Sequence, residues 1–68
     1  MTQCEYITDS YNGRGERVIL WRIGEYTYEL EIGAGVYKKN LMFYETEYYE
    51  ALEFFNAAVA NYRDMEEV

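Results

Sequence analysis

The sequence predicts an α+β fold, an antiparallel β-meander of three to four strands with one C-terminal amphipathic helix packed on one face (ββββα), in a single small domain over residues 1–68. Three observations lead there. Turn residues at Asn12-Gly13-Arg14-Gly15, Gly24-Glu25 and Gly33-Ala34-Gly35 cut the first two thirds of the chain into pieces of strand length. From Glu47 onward the apolar period changes from two to that of a helix. Half of the residues are hydrophobic and thirteen of the 68 are aromatic, enough apolar area to favour folding over disorder. The margin is thin, because a domain this short buries only about 60% of the surface its unfolded chain exposes.

The first strand, roughly residues 4–11, returns through the Asn-Gly turn. A loop of two or of four residues gives the same outcome, with Cys4, Tyr6 and Thr8 on the side of Ile19 and Trp21. Gly24-Glu25 suits a two-residue hairpin with glycine at the first central position. That turn sets Ile23 against Tyr26, Trp21 against Tyr28 and Ile19 against Leu30, an apolar face with Trp21 as a core anchor between Tyr6 and Tyr28. Val18, Leu20 and Arg22 then face the other way. A fourth strand over residues 37–44, entered through a four-residue loop from Gly33 to Val36, places Leu41 opposite Tyr28 and Phe43 opposite Tyr26. A three-residue loop would invert it.

In the helix, Tyr48, Ala51, Leu52, Phe55, Ala58, Val59 and Tyr62 form an apolar stripe. Thr46 is the expected N-cap, and Glu45, Glu47 and Glu50 fall near the positive end of the helix dipole. The helix is expected to end near Met65, leaving Glu50, Glu53 and Asp64 on a common exposed side.

The formal charge of −7 is unevenly distributed. Residues 1–40 carry six acids and five bases, a net −1, while residues 41–68 carry seven acids and only Arg63, a net −6. A protein that binds nucleic acid directly neutralises phosphates with Lys and Arg, so this balance argues against DNA or RNA as a ligand and for a basic protein surface. The candidate partner-binding residues are Glu45, Glu47, Tyr49, Glu50, Glu53, Asp64, Glu66 and Glu67, continued on the sheet by Glu29 and Glu31. A second candidate is apolar: Val18 and Leu20, joined by Met42 and Tyr44, form a patch suited to a homodimer or another partner.

Catalysis is not expected. The chain has no histidine, and its one cysteine, Cys4, fits a small core residue better than a nucleophile. Neither Gly13-Arg14-Gly15 nor Gly33-Ala34-Gly35 opens a helix or precedes Lys-Ser or Lys-Thr, so both are turns and not phosphate loops. The acidic pairs match no calcium-loop pattern, and no cofactor or metal is expected. The sequence offers no span of about 20 apolar residues, and Met1-Thr2-Gln3-Cys4-Glu5 lacks the features of a signal peptide, so a cytoplasmic protein without membrane contact is expected.

The strands followed by the acidic, tyrosine-rich segment Tyr48-Tyr49-Glu50-Ala51-Leu52-Glu53-Phe54-Phe55 resemble the small phage-encoded inhibitors grouped as anti-CRISPR proteins. The resemblance is one of architecture and charge and carries no motif by which individual roles transfer. It implies an inhibitor in the host cell cytoplasm that occupies a basic DNA- or RNA-binding channel of a CRISPR effector, its carboxylates standing where phosphates bind. Not all such inhibitors work this way, and the other route open to this chain is for its apolar sheet face to block a subunit interface or force dimerisation of the effector. The alternative class is a non-enzymatic assembly module, antitoxin-like or a dimer-forming subunit, acting through the apolar sheet face.

Overall fold

The computed structural model describes residues 4–67, and the reading of Met1-Thr2-Gln3 and the side chain of Glu67 lie outside what it describes. Strands β1 (Glu5–Tyr11), β2 (Glu16–Gly24), β3 (Thr27–Ala34) and β4 (Tyr37–Phe43) form an antiparallel meander, and helix α1 (Tyr48–Val59) follows it. This is the ββββα architecture the sequence predicts. A short strand, β5 (Glu66–Glu67), adds to the far side of β1 and gives the sheet order β4-β3-β2-β1-β5. The expectation of a helix running to Met65 fails because α1 stops at Val59 and the chain turns at Asp64, where φ is +57°.

The turns differ in kind from those expected, and the register follows. The β1–β2 connection closes around Gly13-Arg14-Gly15: the Asn12 N–H donates to the Glu16 carbonyl at 3.1 Å, the Gly15 N–H donates back to Asn12, and Gly15 sits at φ +80°. A three-residue turn with glycine in the left-handed position is the regular solution for that length. It reverses the parity expected of a two- or four-residue loop. A bulge between Tyr6 and Thr8 restores the parity, so Tyr6 does pair with Trp21 while Thr8 pairs with Leu20.

At the next hairpin the two-residue turn is Glu25-Tyr26, between the paired Gly24 and Thr27, with a second irregularity between Arg22 and Gly24. Beyond it Leu20 pairs with Leu30 and Val18 with Ile32. The expected pairs Trp21/Tyr28 and Ile19/Leu30 are therefore off by one residue, and a one-residue slip exchanges the two faces of a strand. At the third hairpin a glycine-led two-residue turn, Gly35-Val36 with φ +66° at Gly35, takes the place of the four-residue loop. Both lengths are even, so Leu41 and Phe43 keep the face expected for them, now opposite Leu30 and Tyr28.

The core lies between α1 and one face of the sheet. Val18, Leu20, Tyr28, Leu30 and Ile32 meet Ala51, Phe55 and Ala58 there, with Ile7, Leu41, Phe43, Leu52, Val59, Tyr62 and Met65 packed around them. Val18 and Leu20 are completely buried, at 0% exposure, so they are the centre of the core and not an uncovered patch. Trp21 lies on the opposite face, half-buried, edge-on to Tyr6 with ring centroids 6.0 Å apart; Tyr28 is on the helix side and cannot flank it. Cys4 is exposed ahead of β1 and is not a core residue.

Candidate functional site

The acidic residues occupy three separate places. The first is the entry to α1. Glu45 adopts a left-handed conformation with φ +51°, and the turn it makes brings Thr46 under the β2–β3 hairpin, where the Thr46 N–H donates to the Tyr26 carbonyl at 2.9 Å. Thr46 is 5% exposed and its hydroxyl donates to the Tyr44 carbonyl, so it cannot serve as the helix cap expected of it. Glu47 is the N-cap instead, and Glu50 reaches back to accept the Glu47 N–H at 3.0 Å, the return bond of a capping box. The third residue of each successive step, Glu53, continues the row Glu47, Glu50, Glu53 along the helix, neighbours spaced about 5–6 Å apart at their Cβ atoms. All four glutamates from Glu45 to Glu53 are exposed.

Aromatic rings interleave with these carboxylates. Tyr49 is 75% exposed and Tyr44 68%, and Tyr48 packs edge-on to Tyr49 with centroids 5.9 Å apart. Phe54 stacks on Phe43 at 4.5 Å, tying the middle of the helix to the end of β4. Among the described residues the ion pairs are Arg14 with Glu16 and with Asp64, and Arg17 with Asp9. None neutralises Glu45, Glu47, Glu50 or Glu53.

The second place is the other end of α1, about 18 Å away for a helix of twelve residues. Asp64 there faces Arg14 at 3.3 Å, and Arg14 also donates to the Arg63 carbonyl at 2.9 Å. Asn12, 7% exposed, donates to the Arg63 carbonyl and to Glu16, and its side-chain oxygen accepts the N–H groups of Arg14 and Glu16. The Ser10 hydroxyl donates to the Glu66 carbonyl at 2.9 Å. Asp64 and Glu66 thus belong to a clamp that fastens the post-helical segment to the first hairpin, and Asp64 does not share a helix face with Glu50 and Glu53.

The third place is the sheet face turned away from α1. Glu29 and Glu31 stand there on β3, opposite Met42 and Asn40, and Glu29 accepts from Asn40 at 3.1 Å. The same face carries Ile19, Trp21 and a polar cluster the sequence did not suggest. Asp9, 1% exposed, accepts from the Arg17 guanidinium at 2.7 Å and from the Tyr6 hydroxyl. The bond to Asp9 holds the Tyr6 phenol above its ordinary pKa, with burial and the Asp9 charge acting in the same direction and Arg17 against them. The indole N–H of Trp21 is buried without an acceptor among the described residues. Met42 belongs to this face, whereas Tyr44 lies near the helix entry; neither joins Val18 and Leu20 in one patch. An alternating strand pattern gives no sign that Asp9 is buried, although its spacing to Tyr6 and the cross-strand Arg17 becomes meaningful once the bulge is known.

Among the described residues no group of three or more Cys, Asp or Glu is placed to hold a metal ion, and no helix is long and apolar enough to cross a membrane. No protein-family model, curated protein or solved structure matches the chain.

Proposed function

We propose that this protein is a non-enzymatic inhibitor that presents the carboxylates at the entry of α1 to a basic channel of a nucleic-acid-handling complex, in the manner of anti-CRISPR proteins. One observation carries the reading: Glu45, Glu47, Glu50 and Glu53 are exposed, adjacent and free of ion pairs among the described residues. A row of like charges at helical spacing opposes folding by a few tenths of a kcal/mol per pair, and a cationic partner relieves that repulsion. Tyr44, Tyr48 and Tyr49 supply rigid contact area around the charges, as binding surfaces favour.

The test is competition. Purified protein is titrated against DNA binding by a CRISPR effector at two salt concentrations, beside Glu45→Lys/Glu50→Gln/Glu53→Lys, in which the glutamine preserves the bond to the Glu47 N–H. Inhibition by the wild type that weakens steeply with salt, and a loss of about tenfold or more in the folded variant, are expected. A folded variant that inhibits as well as the wild type would overturn the proposal.

A second reading, the assembly module, has an observation of its own. Its apolar surface moves from the buried Val18 and Leu20 to the open sheet face, where Ile19 and Trp21 stand on β2 and Met42 stands on β4, across Glu29 of β3. Association through that face would be nearly insensitive to salt.

A further inference from the structure

We infer that β4 is a docking edge for an extended peptide segment of another protein, one whose side chains alternate apolar with polar and whose acidic end lies over Lys38 and Lys39. Among the described residues β4 is the last strand of the sheet at that side, so alternate backbone N–H and C=O groups along its seven residues have no described strand to pair with. An added strand satisfies them, and the pockets beside the edge select its side chains.

Such a pocket is present. On the helix side, a groove of about 370 Å³ runs beside β4, floored by Leu41 and Phe43, walled by Phe54 and Tyr62, and bordered at one end by Tyr37 and Lys39. Because α1 packs over the middle of the sheet, the flank of β4 is left partly open, with Tyr37 53% and Phe54 39% exposed. In a strand laid along β4, every second side chain points into this groove.

Charge decides the occupant. Lys38 and Lys39 are the chain's only lysines, both exposed on this edge, in a protein of net charge −7. They stand on opposite faces of the strand and together favour carboxylates on the incoming segment. The groove's other end is different: Phe54 also lines a small hollow with Glu50 and Glu53, which repels acids there. The edge is therefore polar along its length, and the segment it fits is acidic over Lys38 and Lys39 and neutral or basic beside Phe43. A second copy of β4 fits worse. Antiparallel pairing centred on Asn40 brings the two Lys39 side chains to diagonal positions on one face, where like charges oppose association.

The inference does not rest on the inhibitor reading, and its test keeps the two apart. The probe is a capped peptide as long as β4, alternating Val with Thr, with Glu and Asp at its C-terminal end and Arg at its N-terminal end. It is titrated into the isotopically labelled protein and followed by amide chemical shifts and hydrogen exchange. Shifts and new amide protection along β4 are expected. Lys38→Glu/Lys39→Glu should weaken binding roughly tenfold, and so should a peptide N-methylated on the edge facing β4, which keeps every charge but cannot form the ladder. With Thr in place of the peptide's Arg, so that no charge of the probe meets Glu50 or Glu53, Glu45→Lys/Glu50→Gln/Glu53→Lys should leave peptide binding largely intact even where it abolishes competition with DNA. No binding, shifts confined to the entry of α1, or equal binding by the N-methylated peptide would each overturn strand addition.

Discussion

The two faces of the sheet have similar apolar content along β2 but different fates. On one, Val18 and Leu20 meet Leu30, Ile32 and the helix residues Ala51 and Phe55, and water is excluded. On the other, Ile19 and Trp21 stand opposite Glu31 and Glu29, beside Tyr6 and the Asp9–Arg17 pair, with no described element above them. The first face is held by packing, where each lost methylene leaves a cavity. The second is held by a ring pair and by hydrogen bonds to one buried carboxylate, and side chains removed from it are replaced by solvent. The same strand thus contributes to two layers governed by different physics.

The largest expected effect tests that contrast directly. Leu20→Ala should cost about 3–5 kcal/mol, of the order of the entire stability of so small a domain, whereas Trp21→Ala, which opens no enclosed cavity, should cost about 2 kcal/mol despite removing more atoms. Urea unfolding followed by circular dichroism gives both values, and the reverse order would mean that the helix covers the Trp21 face. A smaller effect sharpens the polar side of the comparison. Asp9→Asn keeps the shape but removes the charge that Arg17 and Tyr6 engage, and should cost about 1–2 kcal/mol. Arg17→Met should remove most of the sensitivity to that substitution, a coupling read from the double-mutant cycle; additive costs would dissolve the cluster.

The smallest effect is in pH. The Tyr6 phenol is held above its ordinary pKa in the folded chain, so its protonated form is favoured by folding. That contribution is fully present below the ordinary tyrosine value and is lost as pH rises through the folded one. Tyr6→Phe should therefore remove a late-ionising step from an absorbance titration of the protein. A titration unchanged by Tyr6→Phe would show that the hydroxyl does not hold Asp9 in solution.

The element order was legible because it rests on coarse signals, glycine spacing and a change of period. The assignment of β2 was not, because it rests on a single residue. Tyr28, Leu30, Leu41 and Phe43 keep the face their pattern predicts, since an error of two residues at the Gly35-Val36 turn preserves parity. At Gly24 the shift is by one, and Val18 and Leu20 exchange places with Ile19 and Trp21. Ile19 and Trp21 are hydrophobic enough that nothing in β2 alone marks the exchange; only the acids Glu29 and Glu31 on β3 do so, once the register is known. The acidic surface was legible as composition and not as geography. Glu45, Glu47, Glu50 and Glu53 do cluster, whereas Asp64 is drawn into a clamp by Arg14 and Glu66 by Ser10, with Asn12 holding the Arg63 carbonyl between them, contacts across some fifty residues of sequence that no local pattern encodes.

That clamp also sets a chemical clock. Asn12 precedes Gly13, a pair in which the glycine nitrogen readily attacks the asparagine side-chain carbonyl and expels ammonia, and water then opens the resulting cyclic imide to aspartate or isoaspartate. In the native fold the Asn12 carbonyl is engaged by two backbone N–H groups and its amide by Glu16 and the Arg63 carbonyl, in a nearly sealed setting that hinders the rotation the attack needs. Deamidation must then await opening of the first hairpin, and its product cannot rebuild the clamp: an ionised aspartate has no donor for Arg63, and isoaspartate lengthens the turn by a carbon. Each opening event carries a chance of becoming permanent, so at elevated temperature the opening of this one hairpin adds a chemical route out of the native state.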